Sequence, residues 1–336
     1  MADRFHGAGS LAMRGFGAMA LLVALVAGLV QPAVAQSERL QVVATNSILG
    51  DLVNNVAGDT ADVIVLVPTG GDPHTYEPTP VDAESIADAD IVFENGLGLE
   101  VWLDDVFEAS GSDGQRVVVT NGITPMWVAD EPEHGEDGAA ATPAEGSIAT
   151  PAEATEEGEL DPHVWFDVAN AKLMVAAIET ALATADPDNA AAYQANAAAY
   201  QTQLDELDSL IVTQVGTLAV EQRRLVTSHD TFAYFAARYG FEIVGTALGS
   251  ITTEAADPSA SEIAALIDAI EASGVAAIFP ENTSSSDLLD QIASEADVVV
   301  APELYTDALG EEGSDGGTYI DMMTYDVTTI VTALRG

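Results

Sequence analysis

The stretch that decides the fold is AAAYQANAAAYQTQLDELDSLIVTQV, residues 190–215. It is rich in alanine and contains neither proline nor glycine, so nothing in it interrupts a helix. Tyr193 and Tyr200, then Leu204, Leu207 and Ile211, recur at three-, four- and seven-residue spacing and fall on one stripe. At ~1.5 Å per residue such a helix runs roughly 40 Å, long enough to cross from one domain to another.

What lies on either side tells what it connects. Upstream, LQVVATN (40–46), ADVIVLVP (61–68), DIVFENG (90–96) and QRVVVTNG (115–122) read as strands. They alternate with helical segments at 47–58, 81–89 and 101–110, and a further helix spans 167–185 up to the breaker DPDN. Downstream, RRLVTS (223–228), FEIVGTAL (241–248), VAAIFPE (275–281) and DVVVAPE (297–303) alternate with helices at 231–239, 258–272 and 285–296. A last helix occupies 318–334. Nearly all-apolar strands separated by helices predict parallel sheets covered on both faces. The expected fold is therefore α/β: a β/α lobe over 36–187, a connecting helix over 188–216 and a second β/α lobe over 217–336.

The first series is interrupted at 129–161, ADEPEHGEDGAAATPAEGSIATPAEATEEGELD, which has no lysine or arginine and few large apolar groups. It is expected to be an unstructured acidic tether carrying His134. The whole chain shares this bias, with 9 Lys+Arg against 55 Asp+Glu and a formal net charge of −46. Such a surface repels nucleic acid and attracts cations. At the N-terminus, Arg4 and Arg14 precede the apolar run AMALLVALVAGLV (18–30) and the small residues AVAQ (33–36). Residues 1–35 thus read as a secretory signal cut after Ala35. The chain has no cysteine, which removes disulfides, thiolate ligands and lipidation at an N-terminal cysteine. The expectation is an exported, soluble protein that is not a lipoprotein, on the periplasmic or outer side of the envelope.

Three of the five histidines stand in distinctive settings. His74 lies in GGDPHTYEPTP (70–80) and His163 in LDPHVWFDV (160–168), both behind Asp-Pro. His229 ends a predicted strand in VTSHDTF (226–232), and Asp307 follows another in LYTDALG (304–310). Ligands of doubly wound sheets bind outside the carboxyl ends of strands, where these residues fall. Three imidazoles and a carboxylate match a four-coordinate divalent metal site. An exported metal-dependent hydrolase would also fit this set, although no HExxH motif is present.

These motifs, together with IFPENTSSSDLLDQIA (278–293), closely resemble the solute-binding proteins of metal ABC importers, the zinc- and manganese-uptake family. The resemblance runs from about residue 40 to the C-terminus, apart from the acidic segment. It implies two lobes joined by one helix with a metal ion buried between them, His74 and His163 reaching it from the first lobe, His229 and Asp307 from the second. It also implies delivery to a membrane permease and its ATPase, and some members of the family serve as surface adhesins. A non-enzymatic monomer is expected, with small lobe motions on a stiff helix. Asp161, Asp230 and Glu281 are the candidates to accept from the ligands' second ring nitrogens. Zinc-type members often carry a histidine-rich version of the loop that is acidic here. Dedicated manganese binders usually have glutamate where this chain has His229, so zinc is expected to bind more tightly, with manganese as the alternative.

Overall fold

A computed structural model describes residues 39–129, 158–253 and 258–335. The signal segment, His134 and residues 130–157 of the acidic stretch lie outside the described residues.

The first half runs β1 (Leu40–Asn46), α1 (Ser47–Ala57), β2 (Ala61–Val67), α2 (Pro80–Asp88), β3 (Ile91–Glu94), α3 (Leu103–Ser110) and β4 (Gln115–Val118). The four strands form one parallel sheet in the order β2-β1-β3-β4. Asn46 caps α1 by accepting from Leu49 N, and Thr79 and Asp82 form a capping box at α2 with Pro80 in its first turn.

Where the sequence predicts only a loose tether, its two ends are ordered. β5 (Trp127–Ala129) pairs antiparallel with β6 (Gly158–Leu160). The expectation of an unstructured 129–161 is corrected at both ends. The Tyr234 hydroxyl pins this ribbon, donating to the Asp161 carbonyl at 3.0 Å and accepting from Met126 N at 2.9 Å. Three-residue strands are too short to announce themselves by periodicity.

α4 (Val168–Ala185) and α5 (Ala190–Val215) follow. α5 buries Tyr193, Tyr200, Leu204, Leu207 and Ile211, the stripe foreseen from the spacing, and adds Ala197 and Val215 to it. The second half runs β7 (Arg224–Thr227), α6 (Ala233–Tyr239), β8 (Glu242–Thr246), α7 (Ala260–Ser273), β9 (Ala277–Ile278), α8 (Asp287–Ala296), β10 (Val299–Val300) and α9 (Tyr319–Arg335). β7 pairs with β8 and β9 with β10, all parallel, and a parallel bridge between Thr227 and Phe279 joins the pairs. The resulting order, β8-β7-β9-β10, repeats the crossover pattern of the first sheet.

α5 packs on α1 and α4 before it and on α6 and α9 after it. One hydrophobic core runs through both halves, from Val42 and Leu49 through Leu204 to Phe232, Phe279 and Tyr319. Arg238 of α6 adds a polar tie, reaching Asp208 of α5 at 3.0 Å and Asp167, the cap of α4, at 3.5 Å. The architecture is two β/α lobes with parallel-sheet cores and one long helix between them, sharing a continuous core.

Candidate metal centre

Both Asp-Pro-His segments use the same local device. The aspartate two residues ahead of each histidine accepts its backbone N–H, at 2.8 Å from His74 N to Asp72 Oδ1 and 2.9 Å from His163 N to Asp161 Oδ1. This is an Asx turn, which aspartate forms readily and the intervening proline stiffens. The Trp102 indole further holds the Pro73 carbonyl at 2.8 Å. His229 leaves the end of β7, and its N–H together with that of Ser228 donates to Glu281 Oε1. Asp307 sits in the loop after β10. There Gly310 and Gly316 pack on the Tyr305 ring and leave no room for a Cβ.

These four loops converge. His163 Nε2 lies 3.3 Å from both His74 Nε2 and His229 Nε2. Asp307 Oδ1 is 3.4 Å from His163 Nε2, and its Oδ2 is 3.3 Å from His229 Nε2. One donor atom from each residue falls within 4.8 Å of all the others. The side chains are sealed from solvent: His74 is 4% exposed, His163 and His229 0%, and Asp307 1%. Asp307 Oδ1 is buried without a hydrogen-bond partner, as expected of an oxygen reserved for an ion.

Two rings are fixed from behind. His163 Nδ1 meets Asp161 Oδ1 at 2.8 Å, and His229 Nδ1 meets Glu281 Oε2 at 2.5 Å. The third candidate for this role, Asp230, does not fill it. Its backbone N–H donates to the Ser250 carbonyl, and among the described residues its carboxyl reaches no histidine ring. Burial, with the charges of Asp161, His163, His229 and Glu281 close enough to be felt, leaves this carboxyl raised above its ordinary value.

The electrostatics follow this division. Burial draws His74 down to about 4 and its neighbours His163 and His229 reinforce this, while Asp307 only partly opposes it. For His163 burial pulls the same way, but Asp161 and Asp307 outweigh it and push the ring up to about 10. His229 is likewise raised, against burial, by Glu281 and Asp307. Asp307 is held well below the carboxylate range by the three histidines, despite burial. Without an ion, the centre at neutral pH is a proton-bearing cluster.

Contacts across the cleft escaped the sequence altogether. The Trp165 indole donates to the Thr306 carbonyl at 3.1 Å, Leu309 N to Ser47 Oγ at 2.9 Å and Gly70 N to the Leu309 carbonyl at 3.0 Å. The Thr253 hydroxyl donates to Asp72. No local pattern encodes a bond between residues more than a hundred positions apart. The Asp72 turn was not foreseen either, although the Asp-Pro pair ahead of His74 is the signal that could have found it.

A family model described as zinc-uptake complex component A, periplasmic, matches residues 42–333. The manganese-binding lipoprotein MntA of Halalkalibacterium halodurans is 36% identical over 297 residues, covering 88% of this chain and 89% of the relative. The zinc-binding protein TroA of Treponema pallidum is 34% identical over 298 residues, covering 87% and 88%. Its solved structure superposes with a TM-score of 0.75 at 32% identity, over 88% of this chain and 99% of that one. A manganese-bound periplasmic metal-binding protein from Candidatus Liberibacter asiaticus superposes with a TM-score of 0.73 at 28% identity, over 88% and 100%.

These relatives correct one expectation. The reading of an exported chain that is not a lipoprotein does not stand, since MntA is named a lipoprotein. Its basis was narrow: a missing cysteine removes one chemistry of attachment and leaves other means of holding the protein at the membrane untouched. A location facing outward from the cell stands. The relatives are solute-binding proteins, and the chain belongs to the family of zinc-uptake complex component A, the substrate-binding part of metal ABC importers.

Proposed function

We propose that His74, His163, His229 and Asp307 hold one divalent transition-metal ion, zinc ahead of manganese, as the cargo that this chain delivers to a membrane permease and its ATPase. The observation that carries the reading is the position of His163 Nε2, 3.3 Å from both of the other imidazole nitrogens. Tetrahedral zinc with bonds of about 2.0–2.1 Å to nitrogen sets its donors about 3.3–3.4 Å apart. Nitrogen-rich sites also rank zinc above manganese. The names of MntA and TroA support binding of both ions.

The same features favour a carrier over an enzyme. Four protein donors complete a tetrahedral shell, and their burial leaves no place for an attacking water. All four donors come from one chain, so a monomer suffices. We take the lobes as 36–187 and 217–336, with 188–216 as the connecting helix. The test is metal analysis of protein purified without added metal, then competition between zinc and manganese. One ion per chain and tighter zinc are expected. Manganese displacing equimolar zinc overturns the metal assignment, and failure of both ions to bind overturns the site.

A further inference from the structure

Tyr319, the first residue of α9, is 0% exposed and reaches both lobes. Its backbone N–H donates to Asp51 Oδ2 of α1 at 3.1 Å, and its hydroxyl donates to the Trp165 carbonyl at 2.6 Å. Trp165, 1% exposed, stands two residues after His163, and the two rings meet edge to face with centroids 5.4 Å apart. Its indole N–H crosses back to the Thr306 carbonyl at 3.1 Å. Thr306 immediately precedes Asp307, and its own hydroxyl donates to Glu281 Oε2, the oxygen that meets the His229 ring. Asp51, Tyr319, Trp165 and Thr306 thus form an unbroken hydrogen-bonded chain that alternates between the halves of the molecule.

We propose that Tyr319 is a positioning residue for metal retention: its hydroxyl fixes the Trp165 carbonyl, so that the indole clamps the Thr306–Asp307 loop against the His163 loop across the cleft. This rests on the four-donor site of the preceding section. The clamp joins the backbone beside a first-lobe donor to the backbone beside a second-lobe donor. The two must separate for an ion to leave, so breaking the clamp speeds release. Capture begins from an open cleft, before the clamp is made, and is little affected. Tyr319, Trp165 and Thr306 are buried, so a polar group there that loses its partner has no water to turn to.

Tyr319→Phe tests this, because it keeps the buried ring and removes only the hydroxyl. In full-length protein loaded with zinc, release to excess chelator should become about tenfold faster, the effect of stranding one buried acceptor. Zinc association should stay within about twofold. Trp165→Phe, which removes the indole N–H, should have a similar effect. The double variant should release zinc no faster than the quicker single one, because both break one clamp. Should Trp165→Phe fail to fold, Tyr319→Phe carries the test by itself. A Tyr319→Phe protein that melts lower in both metal-free and zinc-loaded forms, with release unchanged, overturns the inference and leaves the metal site standing. If the unaltered protein binds neither zinc nor manganese, it is the site that fails.

Discussion

Glu281 is buried with 0% exposure and spends both oxygens on the second lobe's part of the centre. It accepts from Ser228 N, His229 N and the Thr306 hydroxyl and meets the His229 ring. Carboxylates behind a ligating imidazole commonly contribute about 10- to 100-fold in metal affinity. Glu281→Gln, isosteric but uncharged, is therefore expected to weaken zinc by about tenfold or more, read by competition with a chromogenic chelator. A change under twofold would mean that the ring is oriented by packing alone.

The histidines also predict how pH acts. Metal binds neutral imidazole, and His163 carries a proton in the metal-free protein until pH approaches about 10. The ion must displace it, so apparent affinity should rise roughly tenfold per pH unit between about 6.5 and 9. A flat profile would show that His163 is neutral before metal arrives. In the metal-free protein the sign is reversed. A ring raised from 6.5 to about 10 stabilises the fold below 6.5 and loses that contribution as pH climbs through 10. His74, lowered to about 4, works from the other side and costs stability as pH falls from 6.5 towards 4. Metal-free melting temperature should peak near the ordinary histidine range and fall on both sides. Asp161 and Glu281 were legible as partners of these rings and Asp230 was misleading, because sequence proximity does not say which ring nitrogen a carboxyl will reach.

At the scale of elements, the paired ends of the acidic segment allow a clean excision. Ala129 stands opposite Gly158 in the ribbon, so replacing residues 130–157 by Asn-Gly would close it as a two-residue hairpin. The residues removed supply none of the four donors. Tight zinc affinity should stay within a few-fold, checked by the same competition, and a hundredfold loss would reveal a donor in the excised stretch. The long elements were legible almost to the residue. β1 and α5 begin and end where their patterns do, because a seven-residue apolar strand and a helix of 26 residues carry many periodic positions. β9 and β10 were overread as seven-residue strands. Only two residues of each join the ladder, and pairing beyond it is limited to isolated parallel bridges, Thr227 with Phe279 and Glu281 with Leu304. Hydrophobicity alone did not report how short the ladder is, nor that Val299 in β10 is 65% exposed.

For the whole molecule the site contributes to stability by mass action. An ion that binds only the native state at a thousandfold excess over its Kd adds about 4 kcal/mol. Zinc added to chelator-treated protein should therefore raise the melting temperature by several degrees, and His74→Ala should remove most of the rise. An unchanged melting curve with both zinc and manganese would contradict a buried centre. The two-lobe plan was visible in the alternation of strand and helix. The continuity of the core through both lobes was not, since periodicity marks which face is buried without naming what covers it.

That the four proposed donors are divided evenly, His74 and His163 before α5 and His229 and Asp307 after it, has a consequence for affinity. Each half alone is a two-toothed ligand of ordinary strength. On the proposed site, tight capture would come from α5 and the shared core, which keep the second pair at high effective concentration once the first has engaged. Affinity is then a property of the linkage as much as of the ligands. A permease that strained the joint between the halves by a small amount would convert a tight site into two weak ones without touching a single coordinating atom.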